Sequence, residues 1–312
     1  MRKASLNGVY ELAKTDPRVI FIGSDLGPGV LDNMKQDMPD RFIMEGVAEQ
    51  HIIGMAAGMA LDGYIPYINT IATFLTRRCF DQIAIDLCLQ KLPVRLIGNG
   101  GGLVYAPLGP THLAIEDIAI MTSLPNMTVL APCDAVEMGA LMKETIAWDG
   151  PIYIRLGKGG DRVITTENEE IKIGKSLLKR TPKDGLFITT GVMTQVALDA
   201  CNDLVKNGLD CGVLHMHTIK PFDGELLKKW IPEVGAVVVA EEHLKHGGLA
   251  SALLNFMADE IPTEIEKLER IGIDDIFPGG YGSQESMMLQ LGLDYISLAK
   301  LMKKKLEHLS EK

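Results

Sequence analysis

The chain has 312 residues, of which 46% are hydrophobic and 23% charged. Those are the proportions of an ordinary globular protein, and they exclude a disordered, collagenous or coiled-coil chain. With 31 Lys and Arg against 41 Asp and Glu the formal net charge is −10, whereas a nucleic-acid binder carries a basic face, so nucleic acid is not expected as a partner. The N-terminal MRKASLNGVYELAKTDP lacks the apolar segment of a secretory signal. No stretch of about 20 residues is apolar enough to span a bilayer, so no membrane is expected either. Cys79, Cys88, Cys133, Cys201 and Cys211 are scattered without a CxxC pair. They read as buried free thiols of a reducing compartment, and the expected location is cytoplasmic.

A helix is predicted over 3–14. Short runs rich in Val, Ile or Tyr and closed by Gly, Pro, Asn or Asp then read as strands at 18–25, 66–71, 93–99, 127–132 and 151–157. Helices are predicted between them at 47–61, 79–90, 113–123 and 134–147. This alternation implies an α/β fold with mainly parallel sheet. Asp134, ahead of AVEMGALMKETI, suits a helix N-cap, and Glu137 three residues on completes a capping-box-like pair. The charged stretch 158–184 has little apolar periodicity and reads as a linker that pairs in part as a short β ribbon. Alternation then restarts with strands at 185–191, 211–217 and 236–243, and helices at 193–207, 223–230 and 248–259. A strand around 267–272 and a terminal helix from about 284 follow. The expected division is a first domain over 1–165, a linker over 166–184 and a smaller α/β domain over 185–312.

Several motifs fail on inspection. GKS at 174–176 has Glu169 where a phosphate-binding P-loop needs its first Gly, and GNGGGL at 98–103 has Leu103 where GxGxxG needs its last. His215 and His217 alternate along one strand and His243 and His246 follow another, a pattern that invites a metal. Neutral strand and loop histidines are the commoner reading, and no metal ligand is assigned.

Four places carry more chemistry. GVAEQHIIGMAAGMAL (46–61) opens an apolar, small-residue helix with Glu49 in its first turn, where a carboxylate also favours the helix N-terminus. TIATFLTRRCFDQ (70–82) places Phe74 and Phe80 beside Arg77 and Arg78 at a strand end, in a chain only 5% aromatic. Two such rings suit a clamp on a flat ligand, or simple core packing. GGGLVYAPLGPTHL (100–113) is a Gly/Pro loop ending at His112, in the position where α/β proteins place ligands. YIRLGKGG (153–160) offers Arg155 and Lys158 to an anion, although a surface ion pair is the ordinary role of such residues.

Taken together, these segments resemble the C-terminal half of transketolase over the whole chain. The matches are GVAEQH with Glu49, TFL with Phe74, GPTH with His112, SLPN (123–126), APCD (131–134), YIRLG with Arg155 and TIKPFD (218–223). Arg2 in MRKAS and Asp25 in GSDLGP also match. The resemblance implies a pyrimidine-binding domain followed by a transketolase C-terminal domain, with thiamine diphosphate as cofactor. It implies that Glu49 meets N1′ of the aminopyrimidine, that Phe74, with Phe80, stacks on the ring, and that Asp25 lies near the cofactor. His112 would act on substrate oxygens, and Arg155 and Arg2 would hold a sugar phosphate.

Family members hold Mg²⁺ and the diphosphate through a GDG…N motif in an N-terminal domain, and no GDG occurs here. The resemblance therefore implies a split enzyme. This chain would be its β subunit, active only in an α2β2 assembly with an N-terminal transketolase subunit that carries Mg²⁺. The implied reaction is transfer of a two-carbon ketol unit between sugar phosphates. Three departures bear on the substrate: Leu108 stands where an Asp precedes the GPTH histidine, NGGG replaces an upstream histidine, and Gly29 replaces a phosphate-binding Ser. TFLTRRCFDQ also resembles deoxyxylulose-phosphate synthase with one extra residue, leaving open whether Arg77 or Arg78 belongs to the site. A 2-oxo acid dehydrogenase β-type subunit, a deoxyxylulose-phosphate-synthase-like subunit and a non-catalytic regulatory partner are the alternatives. Retention of Glu49, Phe74 and His112 together speaks against the last.

Overall fold

A computed structural model describes residues 1–24, 31–157, 159–166 and 168–310. Among these residues the strands form two sheets. The first contains β1 (Val19–Gly23), β2 (Phe42–Met44), β3 (Ile65–Ile71), β4 (Arg95–Asn99), β5 (Thr128–Leu130) and β6 (Ile152–Leu156). The second contains β7 (Leu177–Arg180), β8 (Gly185–Thr189), β9 (Cys211–His215), β11 (Ala236–Leu244) and β12 (Leu268–Ile273), while β10 (Thr218–Lys220) crosses back to the first. The orders are β10-β5-β6-β4-β3-β1-β2 and β12-β11-β8-β9-β7. All pairings are parallel except β10 on β5 and β7 on β9. The alternation in the sequence thus gives the expected doubly covered parallel sheets. β1, β4, β6, β8 and β9 are buried at every position, as strands covered on both faces must be.

Two strands escaped the sequence reading, and a third is the ribbon expected within the linker. β2 is only three residues long and partly exposed, too short for periodicity to register. β7 lies inside the charged stretch 158–184 and is ordered by antiparallel pairing with β9, Leu177 opposite His215. β10 follows β9 closely in sequence yet pairs with β5 of the other sheet, Thr218 opposite Leu130. That exchange, together with a core that runs without a break from Ile20 and Leu96 through Val129 and Ile219 to Leu186 and Val239, packs the two sheets into one body.

Helices differ from expectation at one informative place. The segment after β3 turns helical at once, Ala72–Arg78, where the hydroxyl of Thr76 donates to the carbonyl of Ala72 at 2.9 Å. The helix breaks at Cys79, and Ile83–Cys88 is wound as a π-helix, with Leu89 N donating to the carbonyl of Ala84 at 2.9 Å. A π-turn takes up one residue more than an α-turn, which accommodates an extra residue without displacing what lies on either side. Asp134 caps the helix Ala135–Thr145 as expected, accepting from the N–H groups of Val136 and Glu137, both at 2.9 Å. Glu137 reaches back to the N–H of Cys133 at 2.6 Å, one residue beyond the usual capping-box target. All five cysteines are buried and unpaired, and no helix among the described residues is long and apolar enough to cross a membrane.

Candidate active site

The carboxyl ends of the parallel strands β1, β3 and β4 face a cluster built from three separate segments. Glu49 opens the helix Glu49–Leu61 and is only 3% exposed. Its Oε2 accepts from Arg78 Nη1 at 3.0 Å, while Gln50 Nε2 donates to the carbonyl of Arg78 at 2.8 Å. These two bonds tie the start of one helix to the end of the next. The guanidinium carbon of Arg78 lies 4.5 Å from the centre of the Phe74 ring, a cation–π stack. On the same ring His112 packs edge-on, with centroids 5.1 Å apart. The fold therefore brings Glu49, Phe74 and His112 together, as the motifs suggested, and adds Arg78 to them.

The loop that carries His112 is held from both domains. Arg77 is ion-paired with Glu116 and donates to the carbonyl of Leu113 at 3.0 Å, so the two arginines have divided their work. One faces the cluster and the other pins the loop. Further back, bridges from Gly101 and Gly102 to Ala114 close the base of the loop. Gly102 has φ +66°, and a Cβ there would come within 2.5 Å of the Glu242 carboxylate, so only glycine fits. Glu242 lies on β11 of the second domain, and its Oε1 accepts from Leu103 N at 2.9 Å and Gln284 Nε2 at 2.8 Å. Burial pushes its carboxyl pKa up, against the pull of Arg155. Two adjacent carboxylates, Glu241 and Glu242, inside the apolar run AVVVAEEH were a legible signal of a buried polar role, and the sequence reading passed over them.

The structure commits Arg155 elsewhere. It is 5% exposed, and its Nε donates to Asp117 at 2.9 Å while Nη2 donates to the carbonyl of Glu242 at 2.8 Å. Tyr153 donates to the same Asp117 carboxylate at 2.7 Å. Burial works against the charge on Arg155, but Asp117 and Glu242 outweigh it and raise its pKa. The guanidinium is thus enclosed among three segments and not presented to an open cleft. Phe80 is 38% exposed and pairs with no other ring among the described residues; the ring that packs on Phe74 is that of His112, edge-on. Arg2 is half-buried at the start of the first helix, and its guanidinium makes no ion pair with a described residue. Asp25, Gly29 and Lys158 lie outside the described residues.

Around the cluster, several buried polar atoms have no partner among the described residues: Ser24 Oγ at the end of β1, Asn69 Nδ2 and Thr70 Oγ1 on β3, Thr73 Oγ1, and Asn99 Oδ1 on β4. Buried polar groups are normally satisfied. These atoms are enclosed at the strand ends, and with the carboxylate of Glu49 and the face of Phe74 the polar groups present are compatible with an aminopyrimidine ring.

Residues 1–160 match the family model for the transketolase pyrimidine-binding domain, and residues 174–293 match that for the transketolase C-terminal domain. The chain belongs to the transketolase family. It is 35% identical over 294 residues to the 6-deoxy-6-sulfo-D-fructose transketolase subunit SqwH of Clostridium sp. (strain MSTE9), covering 94% of this chain and 90% of that one. It is 33% identical over 304 residues to 1-deoxy-D-xylulose-5-phosphate synthase 1 of Geobacter sulfurreducens, of which it spans 47%. A solved structure described as a split gene transketolase, inactive beta4 tetramer, superposes with a TM-score of 0.89 at 32% identity, covering 98% of both chains. A Pichia stipitis transketolase variant superposes with a TM-score of 0.83 at 19% identity over 46% of its length, a likeness of fold. Among transketolase relatives, then, this chain corresponds to the C-terminal part of the full-length enzymes and to nearly all of the split subunit.

Proposed function

We propose that this chain is the C-terminal subunit of a two-chain, thiamine-diphosphate-dependent transketolase that transfers a two-carbon ketol unit between sugar phosphates. The observation that carries the reading is the convergence of Glu49, Phe74 and His112 from three segments at the strand ends. When bound, thiamine diphosphate supplies a carbon nucleophile once its thiazolium proton is removed. Glu49 holds a proton at N1′ of the aminopyrimidine, and the face of Phe74 supports the ring. Arg78 already uses both the ring of Phe74 and an oxygen of Glu49, so its side chain, 46% exposed, would have to give way to a ring bound there. His112, half-buried beside Phe74, donates to or takes a proton from the substrate oxygens at the reacting carbons.

The partner in this reading is an N-terminal subunit that holds the diphosphate and Mg²⁺, in an α2β2 assembly; the near full-length match to split subunits supports it. Asp25 is proposed near the cofactor. Arg2, unpaired among the described residues, is the better candidate for the substrate's anionic end, because Arg155 is enclosed by Asp117 and Glu242. A sugar with a sulfonate in place of the phosphate is a second reading, favoured by the name of the SqwH relative and by Leu108 at the position of a sugar-reading Asp.

The test is reconstitution. The purified chain alone should show no ketol transfer, and activity should appear in proportion to complex formed with the N-terminal subunit. In that complex Glu49→Gln should keep assembly intact and cost at least about 10²-fold in turnover, since an amide meets N1′ without supporting proton transfer. Robust turnover by the chain alone, or near-normal turnover of Glu49→Gln, overturns the proposal. Phosphorylated and sulfonated sugars assayed side by side separate the two substrate readings.

A further inference from the structure

At the junction of the two domains lies a set of donor atoms that the proposed chemistry does not use. Cys133 and Glu137 come from the loop after β5 and the helix that follows it, and His215 and His217 from the end of β9 and the residues just past it. Cys133 Sγ, a Glu137 carboxylate oxygen and a ring nitrogen of His215 lie within 4.8 Å of one another, and all three residues are buried. His217 is buried as well, with its ring centroid 6.0 Å from that of His215, and stands beside that set of three and not within it.

Hydrogen bonding accounts for only part of this cluster. Glu137 Oε2 accepts from Cys133 N at 2.6 Å and lies 2.9 Å from His215 Nε2. Glu137 Oε1 and His217 Nε2 have no partner among the described residues, although both are fully enclosed. Each forfeits its hydration without a protein contact in return. Both imidazoles are also anchored in the same way. His215 Nδ1 meets the hydroxyl of Thr194 at 2.7 Å, and His217 Nδ1 meets that of Thr218 at 2.9 Å. A hydroxyl on Nδ1 fixes the ring and leaves Nε2 as the remaining ligand atom, which is how metal-binding histidines are held from behind.

We propose that Cys133, Glu137 and His215, with His217 turning toward them as the fourth ligand, form a tetrahedral site for one divalent transition-metal ion, Zn²⁺ foremost, which fastens the C-terminal domain to the pyrimidine-binding domain. One thiolate, two imidazoles and one carboxylate are a zinc donor set. The two anionic ligands neutralise the ion, so the completed site carries no net charge into the interior. Lys179, the nearby cation, is already paired with Glu169 and donates to Thr165 Oγ1 at 3.2 Å. Binding displaces the thiol proton of Cys133 and replaces the Glu137–His215 contact with two bonds to the ion. Mg²⁺ prefers an all-oxygen shell, so this site is chemically separate from any diphosphate-bound magnesium. The sequence offers four histidines, His215, His217, His243 and His246, for a metal. The fold keeps two of them and supplies the other ligands from a Cys and a Glu more than 70 residues away, the His215–Glu137 separation being 78.

Metal analysis of the full chain, purified without a polyhistidine tag, tests the proposal directly. The expected result is one zinc per chain. After chelation, titration with Co²⁺ alone should saturate at one ion per chain, with intense tetrahedral d–d bands and a thiolate-to-cobalt charge-transfer band. Cys133→Ser should abolish the charge-transfer band. His217→Gln, which preserves size and polarity, should weaken Co²⁺ binding by more than the roughly 10–100-fold typical of changes behind the ligands. Circular dichroism checks that each variant is folded, and either variant suffices if the other is not. Metal far below one ion per chain together with a weak octahedral cobalt spectrum overturns the proposal. A cobalt spectrum unchanged in both variants overturns it equally. These readouts involve no ketol transfer, so the metal site and the proposed function stand or fall separately.

Discussion

Replacing Arg155 with Ala separates a structural role from substrate binding. Arg155 is 5% exposed, and its partner Asp117 is fully buried. The Nε–Asp117 contact is 2.9 Å, and Nη2 adds the carbonyl of Glu242 at 2.8 Å. Truncation leaves Asp117 as an uncompensated buried charge with only the hydroxyl of Tyr153 to satisfy it. Breaking a buried pair in this one-sided way costs about 3–5 kcal/mol, a large part of the roughly 5–15 kcal/mol that holds a typical protein folded. At about 2–4 °C per kcal/mol for a chain of some 150–250 residues or more, the melting temperature should fall by roughly 6–20 °C. The assay is thermal and urea unfolding of the full chain, with a double-mutant cycle against Asp117→Leu. Because removing both partners leaves no unpaired charge at position 117, Arg155→Met with Asp117→Leu should be less destabilised than Arg155→Met alone. A variant with wild-type unfolding and a KM for phosphorylated sugars raised about 10- to 100-fold, as loss of a charge-assisted contact predicts, would refute this reasoning and return Arg155 to the substrate.

In the reconstituted complex Phe74→Ala should weaken thiamine diphosphate binding by roughly 3- to 10-fold, the value of one aromatic stack; calorimetric titration with an unchanged Kd would remove Phe74 from the cofactor site. Asp134 accepts from four backbone N–H groups, those of Val136, Glu137, Ile164 and Thr165. Burial acts to raise its pKa, but these bonds prevail and hold it below the usual carboxylate range. A carboxyl depressed in the folded state adds stability above its unfolded pKa of about 3.9, and that stability is lost as pH falls through the lower folded value. Asp134→Asn should therefore lose less urea resistance between neutral pH and pH ~3 than wild type does, and parallel losses would show that other carboxylates govern the acid limb. Asp134→Ala, which removes the cap altogether, should cost about 1–3 kcal/mol at neutral pH, and a urea midpoint equal to that of wild type would show that the cap contributes nothing.

Local chemistry was legible wherever the chain encodes its own neighbourhood. Val- and Ile-rich runs closed by Gly or Pro specify the buried parallel strands, Asp134 specifies its helix start, and GVAEQH, TFL and GPTH specify Glu49, Phe74 and His112. These signals are periodicities, caps and short motifs, each complete within a few residues. What tertiary structure alone decided is which distant group each polar side chain meets. Arg155 and Arg78 look equivalent in sequence, as arginines at the edge of a strand or helix. One finds Asp117, 38 residues back, and a carbonyl 87 residues ahead, and becomes part of the interior. The other reaches Glu49 and covers a face of Phe74, with its own side chain still partly exposed. The same holds for β10, whose three residues have no strand signal of their own and are ordered by the free edge of β5. A buried charge is tolerated only where a partner of opposite sign is brought to it, and the chain's crossovers, which no local window contains, determine that partner.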